Sequence, residues 1–159
     1  FSFTTEETGG IIGNGDITMD WIVQVLKRTV DTQYRTKADR RHTFLAGSSM
    51  GGLMTLYGLL AYPEVFSRGA ALSPSLWIDA EKVKAMIRHA RVKRNTVLYM
   101  DYGALEFADH PHSRSLFAEV SALLIEKRVL LNSRIVPRGT HCEASWEKQI
   151  PFFMKTLFE

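Results

Sequence analysis

Two adjacent serines sit inside a glycine frame in the stretch Gly47-Ser48-Ser49-Met50-Gly51-Gly52. Gly/Ser runs are common in ordinary turns, so the flanking sequence decides the reading. Thr43 to Ala46 is short, apolar and bounded by glycine, as a buried strand would be. From Met50 onward Leu53, Leu56, Tyr57 and Leu60 recur at helical spacing until Pro63. The serines therefore fall at a strand-to-helix joint. Within Gly47-x-Ser49-x-Gly51 the central serine is Ser49, and a sharp turn there projects its side chain from the top of a sheet. The flanking glycines spare neighbouring backbone a Cβ clash. The helix that follows offers backbone N–H groups and a positive dipole end where an oxyanion would form, with the Met50 N–H as a donor. This is a serine placed as a nucleophile.

Such a serine needs a base and an acid, in the chain order Ser, acid, His for this kind of site. Five histidines are present. His42 precedes the nucleophile strand, His89 lies at a charged helix end, and His110 and His112 share the loop FADHPHS. His141 alone lies between the last expected strand and the last helix, in PRGTHCEASW, where functional loops of a parallel sheet gather. His141 is the expected base. The acid should follow the strand TVLYM, and the loop DYGALEF offers Asp101 and Glu106. Chemistry alone does not choose between them.

The elements that must position these groups follow from periodicity. Residues 1–15 are polar and Gly-rich and read as loop. Gly9, Gly10, Gly13 and Gly15 lack the spacing of a phosphate cradle. Asp16 is expected to cap a helix in which Trp21, Ile22, Val25, Leu26 and Val30 make one apolar stripe, ending near Val30. After the nucleophile strand and its helix come strands at 69–73, 96–100 and 130–136. Helices are expected at 79–90, 113–127 and 143–158. Leu116, Phe117, Val120, Leu123 and Leu124 should face inward from the second of these. Trp146, Ile150, Phe153 and Leu157 should share one face of the third, with a bend at Pro151. Alternating strands and helices imply a parallel sheet flanked by helices, in a single domain.

Composition narrows the rest. Lys plus Arg number 20 against 17 Asp plus Glu, a net +3, with the basic residues scattered, which argues against a nucleic-acid partner. Arg35, Lys37, Arg40 and Arg41 read as a charged turn rather than a phosphate site. No apolar run approaches the roughly 18 residues a membrane helix needs, so no membrane partner is expected. The single cysteine, Cys142, excludes an intrachain disulfide and a cysteine zinc cluster. Asp109-His110-Pro111-His112 lacks a third ligand and reads as a solvated loop, so no metal is expected. A cytoplasmic location is compatible with this composition. No signal-peptide pattern opens the chain.

The segment VDTQYRTKADRRHTFLAGSSMGGLMTLYGLLAYPEVFSRGAALSPSLW resembles the core of the putative-esterase family of the α/β-hydrolase superfamily. That family includes esterase D-type S-formylglutathione hydrolases, enterochelin-type siderophore esterases, feruloyl esterases and mycolyltransferases. The match runs from about residue 16 to the C-terminus. It includes Tyr34-Arg35-Thr36, the GSSMGG turn, Ser73-Pro74-Ser75 and Gly139-x-His141 followed by Trp146. The resemblance implies nucleophile Ser49 and base His141. Its acid-loop pattern, Asp-x-Gly-x-x-acid, falls on Asp101-Tyr102-Gly103-Ala104-Leu105-Glu106. That favours Glu106 as the acid, with Asp101 structural, although relatives often carry Asp where this chain has Glu.

The resemblance also implies an α/β-hydrolase fold lacking the N-terminal strands of the full fold, since only a helix and a loop precede residue 42. A loop among those strands would give the second oxyanion donor, whose loss typically costs about 10²–10³ in rate. The nucleophile strand would keep an unpaired edge. The expectation is a fragment, completed by a second polypeptide or by homo-oligomerisation. The implied activity is cleavage of a small-molecule carboxylic ester or thioester through an acyl-enzyme on Ser49, without a cofactor. The alternatives are acyl transfer to an alcohol and a catalytically silent partner. Trp77 and Trp146 are candidate walls of a substrate pocket.

Overall fold

The computed structural model describes residues 13–108 and 111–159. The expected readings on Gly9 and Gly10, and on Asp109 and His110, lie outside the described residues. The first element is a continuous helix in three parts: α1 (Gly15–Trp21), a π-helical turn (Ile22–Leu26) and α2 (Lys27–Gln33). Then follow β1 (Phe44–Ser48), α3 (Met50–Ala61), β2 (Arg68–Leu72), α4 (Ala80–His89) and β3 (Val97–Gly103). The chain ends with α5 (Ser113–Glu126), β4 (Leu130–Val136), α6 (Glu143–Glu147) and α7 (Ile150–Phe158). Among the described residues no helix is long and apolar enough to cross a membrane.

The four strands form one parallel sheet in the order β1-β2-β3-β4. Its register decides where chemistry can happen. Ser48 pairs with Leu72, Leu72 with Asp101, and Asp101 with Arg134. The loops opening at Ser49, Ser73, Ala104 and Pro137 therefore emerge along one rim, the C-terminal edge where α/β proteins build their sites.

Strand side chains alternate between two cores. Ala71, Leu98, Met100 and Tyr102 face the layer of α3, α4 and α5, against Leu53, Leu56, Val83, Ile87, Val120 and Leu124. Ala70, Leu72 and Tyr99 face the opposite side, against Leu157, with Phe44, Trp146 and Phe153 around them. The small residues of β2 let helices approach both faces of the sheet.

Three expectations need correction. First, α1 begins inside the stretch expected to be loop, its N-cap is Asn14 rather than Asp16, and the helix runs on to Gln33. Its buried residues are Met19 and Val23, whereas Trp21, Val25, Leu26 and Val30 are exposed. Of the expected stripe only Ile22 packs against the core, and the described chain leaves the other four residues exposed. Second, β1 is only half-buried and Ala46 is exposed, because among the described residues a partner strand lies on one side alone. Third, residues 143–158 are two helices. Pro151 sits in the first turn of α7, where its missing N–H costs nothing. The break resets the helical phase and leaves Ile150 exposed.

Candidate active site

Ser49 joins the last residue of β1 to the first of α3 with φ 54° and ψ −119°, a conformation in the left-handed half of backbone space. Its surroundings hold it there. The Ser49 N–H donates to Leu72 O at 2.9 Å, and Ser49 O accepts from the Leu53 and Ser75 N–H groups, each at 3.1 Å. The turn is thus tied to both the helix it starts and the end of β2.

The glycines divide the steric work unevenly. A Cβ on Gly47 would stand 2.5 Å from the backbone C and O of Gly51, and one on Gly52 would stand 3.0 Å from Leu72 O and Pro74 Cα. A Cβ on Gly51 would meet nothing within 4 Å. Close approach therefore explains Gly47 and Gly52, and the expectation for Gly51 is corrected. Met50, as the first residue of α3, has an N–H without an intrahelical acceptor, at the positive end of a 12-residue helix.

His141 Nε2 lies 2.8 Å from Ser49 Oγ, and His141 Nδ1 lies 2.7 Å from Glu106 Oε2. Glu106 opens a 3₁₀ turn (Glu106–Ala108) after β3 and is buried. Its other oxygen, Oε1, accepts from the Gly103 N–H and from Ser73 Oγ, both at 2.7 Å. Because a carboxylate only accepts, the imidazole proton belongs on Nδ1. That leaves Nε2 to accept from the Ser49 hydroxyl.

Two glycines bring the acid and base loops together. A Cβ on Gly103 would stand 2.5 Å from Glu106 Oε1 and from Gly139 C and O. The Leu105 N–H donates to Gly139 O at 3.0 Å, and the Ala104 N–H to Val136 O at 3.0 Å.

Asp101 takes a different place. Its Oδ1 accepts from the Ser73 N–H at 3.2 Å and its Oδ2 from the Tyr99 hydroxyl at 2.7 Å. Burial pushes its carboxyl up to about 6, against the pull of those hydrogen bonds. It braces the rim and does not touch His141.

Among the other histidines, His42 Nδ1 pairs with Asp39 Oδ2 at 2.7 Å and His89 Nδ1 faces Ala85 O at 2.8 Å. Trp77 packs against the larger core, and Trp146 stands edge-on to His141 with ring centroids 4.9 Å apart. Arg40, expected in a charged turn, donates to Pro63 O and Thr96 Oγ1.

Sequence reasoning gave no role to Ser73 or Ser75. Ser75 Oγ is buried 3.3 Å from Ser49 Oγ, and Ser73 adopts φ 41°. The Ser73-Pro74-Ser75 motif was the signal, but a serine with positive φ is invisible in a sequence.

The family profile described as Putative esterase matches residues 14–154. Among solved structures, the chain is similar to a ferulic acid esterase at 16% identity, covering 87% of this chain and 61% of that one, with a TM-score of 0.69. It is similar to the enterobactin esterase of Shigella flexneri at 25% identity, covering 86% and 36%, with a TM-score of 0.64. An IroE-like serine hydrolase from Shewanella oneidensis matches at 20% identity, covering 93% and 50%, with a TM-score of 0.72. The chain spans 36% to 61% of the length of these proteins. No curated protein sequence matches it. The likeness is one of fold: a parallel sheet flanked by helices, of the α/β-hydrolase kind.

Proposed function

The chain belongs to the putative-esterase family, and from that premise we propose that it hydrolyses a carboxylic ester or thioester through an acyl-enzyme on Ser49. The observation that carries this reading is the unbroken relay from Ser49 Oγ through His141 to Glu106, at 2.8 and 2.7 Å. Ser49 Oγ attacks the substrate carbonyl while its proton passes to His141 Nε2. The Met50 N–H faces the oxyanion, and Glu106 holds the imidazolium. The bond from the carbonyl carbon to the leaving oxygen or sulfur then breaks as His141 returns the proton to that atom. Water repeats the sequence, giving its proton to His141 and its oxygen to the acyl carbon, which releases the acid and restores Ser49.

The solved neighbours are named for enterobactin and for ferulic acid. Both names denote ester cleavage, the reaction class proposed for Ser49.

Labelling with a fluorophosphonate followed by peptide mapping tests the reading. The expected result is one adduct, on Ser49, absent from Ser49→Ala. Turnover of an activated ester should fall by several orders of magnitude in Ser49→Ala and by about 10⁴ in Glu106→Gln. Ester turnover retained by Ser49→Ala would overturn the assignment.

A further inference from the structure

Glu106 can serve His141 only if one of its oxygens stays on Nδ1, and the structure contains a device for that. Oε1 is held by two donors, the Gly103 N–H and the Ser73 hydroxyl, so Oε2 alone is left for the imidazole. The Gly103 donor is backbone and cannot turn away. The Ser73 hydroxyl can rotate, and its single proton could point elsewhere.

Trp146 removes that freedom. Its Nε1–H lies 3.0 Å from Ser73 Oγ, and an indole N–H donates and never accepts. Ser73 Oγ must therefore accept from Trp146, which directs its own proton to Glu106 Oε1. Ser73 is itself fixed. It is 1% exposed, sits at φ 41°, and its N–H is bonded to both Asp101 O and Asp101 Oδ1. The same indole stands edge-on to the His141 ring, at an interplanar angle of 85°.

We propose that Ser73 and Trp146 form a positioning relay that locks the Glu106 carboxylate, so that His141 keeps its proton on Nδ1 and presents a bare Nε2 to Ser49. Neither residue touches the reacting atoms. Trp146, expected as a wall of a substrate pocket, is assigned here to the support of the acid. In metal sites, residues that orient a ligand from behind are typically worth about ten- to a hundredfold in activity, and an effect of that order is expected here. The relay depends on the esterase reading only for its kinetic consequence, because the tautomer of His141 can be measured without any substrate.

The test uses ¹⁵N-histidine-labelled chains: the unaltered protein, Ser73→Ala and Trp146→Phe. Trp146→Phe keeps an aromatic ring at this position and removes the donor together with part of the indole, so it serves where Ser73→Ala fails to fold. At alkaline pH the unaltered chain should show His141 with a protonated Nδ1 and a bare Nε2. The variants should show averaged signals from mixed tautomers. Fluorophosphonate labelling of Ser49 should slow by about ten- to a hundredfold in both.

If the tautomers mix in the variants but not even the unaltered chain labels, the relay stands and the esterase reading fails. A Trp146→Phe chain that keeps the single Nδ1–H tautomer overturns the relay, whatever its labelling rate. So does an unaltered chain that already shows the mixture.

Discussion

Asp101 is 1% exposed, and burial lifts its carboxyl to about 6 from an ordinary 3.8. A group whose pKa is raised by folding favours the folded state most fully below its unfolded value. That contribution disappears as the pH climbs through the folded value. For Asp101 the window runs from about 4 to about 6, and above it the buried negative charge weighs against folding. Asp101→Asn removes the charge and keeps the contacts, since an amide oxygen can still accept from the Ser73 N–H and the amide NH₂ can donate to the Tyr99 oxygen. The melting temperature of this variant should exceed that of the unaltered chain by a few degrees at pH 8 and converge with it below pH 4. Equal melting temperatures across the range would mean that the charge is compensated. Glu106 contrasts with Asp101, because its second oxygen is spent on His141. The two acids lie within one six-residue stretch, Asp101 in β3 and Glu106 just beyond it, so their types and spacing could not separate them. What separates them is their partners: Glu106 reaches the Gly103 N–H and His141, while Asp101 accepts from the Ser73 N–H and the Tyr99 hydroxyl. His141 was legible because only one histidine follows the last strand.

At the scale of elements, the turn between β1 and α3 predicts a graded response to adding one methyl group. Gly47→Ala drives a Cβ to 2.5 Å from Gly51 backbone, which neither strand nor helix can yield, and should abolish cooperative unfolding. Gly52→Ala presses on Leu72 O and Pro74 at 3.0 Å and should lower the melting temperature without abolishing the fold. Gly51→Ala meets open space within a helix, where alanine is favoured over glycine by about 1 kcal/mol, and should raise it. Thermal melts of the three variants check the order, and destabilisation by Gly51→Ala as severe as by Gly47→Ala would refute it. Strand positions were readable from their short apolar runs, and β4 falls where its pattern placed it, at Leu130–Val136. Helix faces were less readable. The residues 15–33 carry apolar side chains around much of their circumference, and the π-helical turn at Ile22–Leu26 shifts the phase partway along. Periodicity found that stripe without revealing that Met19 and Val23 are the residues the core takes.

At the scale of the whole molecule, β1 decides how this chain behaves among copies of itself. Its only partner among the described residues is β2, so the N–H and C=O groups of its other edge form no ladder there. Apolar surface flanks that edge on both sides. Trp21, Val25 and Leu26 are 52%, 48% and 42% exposed on α1 and the π-helical turn, and Phe158 is 66% exposed on α7, where its ring meets Phe44 of β1 edge-on. An open edge between apolar faces is the surface that soluble proteins ordinarily cover or charge. A net charge of +3 on 159 residues gives little repulsion to oppose association. The isolated chain should therefore self-associate, with a sedimentation coefficient that rises with protein concentration. Trp21→Glu combined with Val25→Lys places charge on the exposed face of that helix and should move the boundary toward the 18.0 kDa monomer without altering the Ser49, His141 and Glu106 contacts, in which neither residue takes part. A native chain that stays monomeric at the highest attainable concentration would show that these faces do not attract each other. If only the double variant is monomeric, the contact runs through this helix, and the edge of β1 alone is insufficient to hold two copies together.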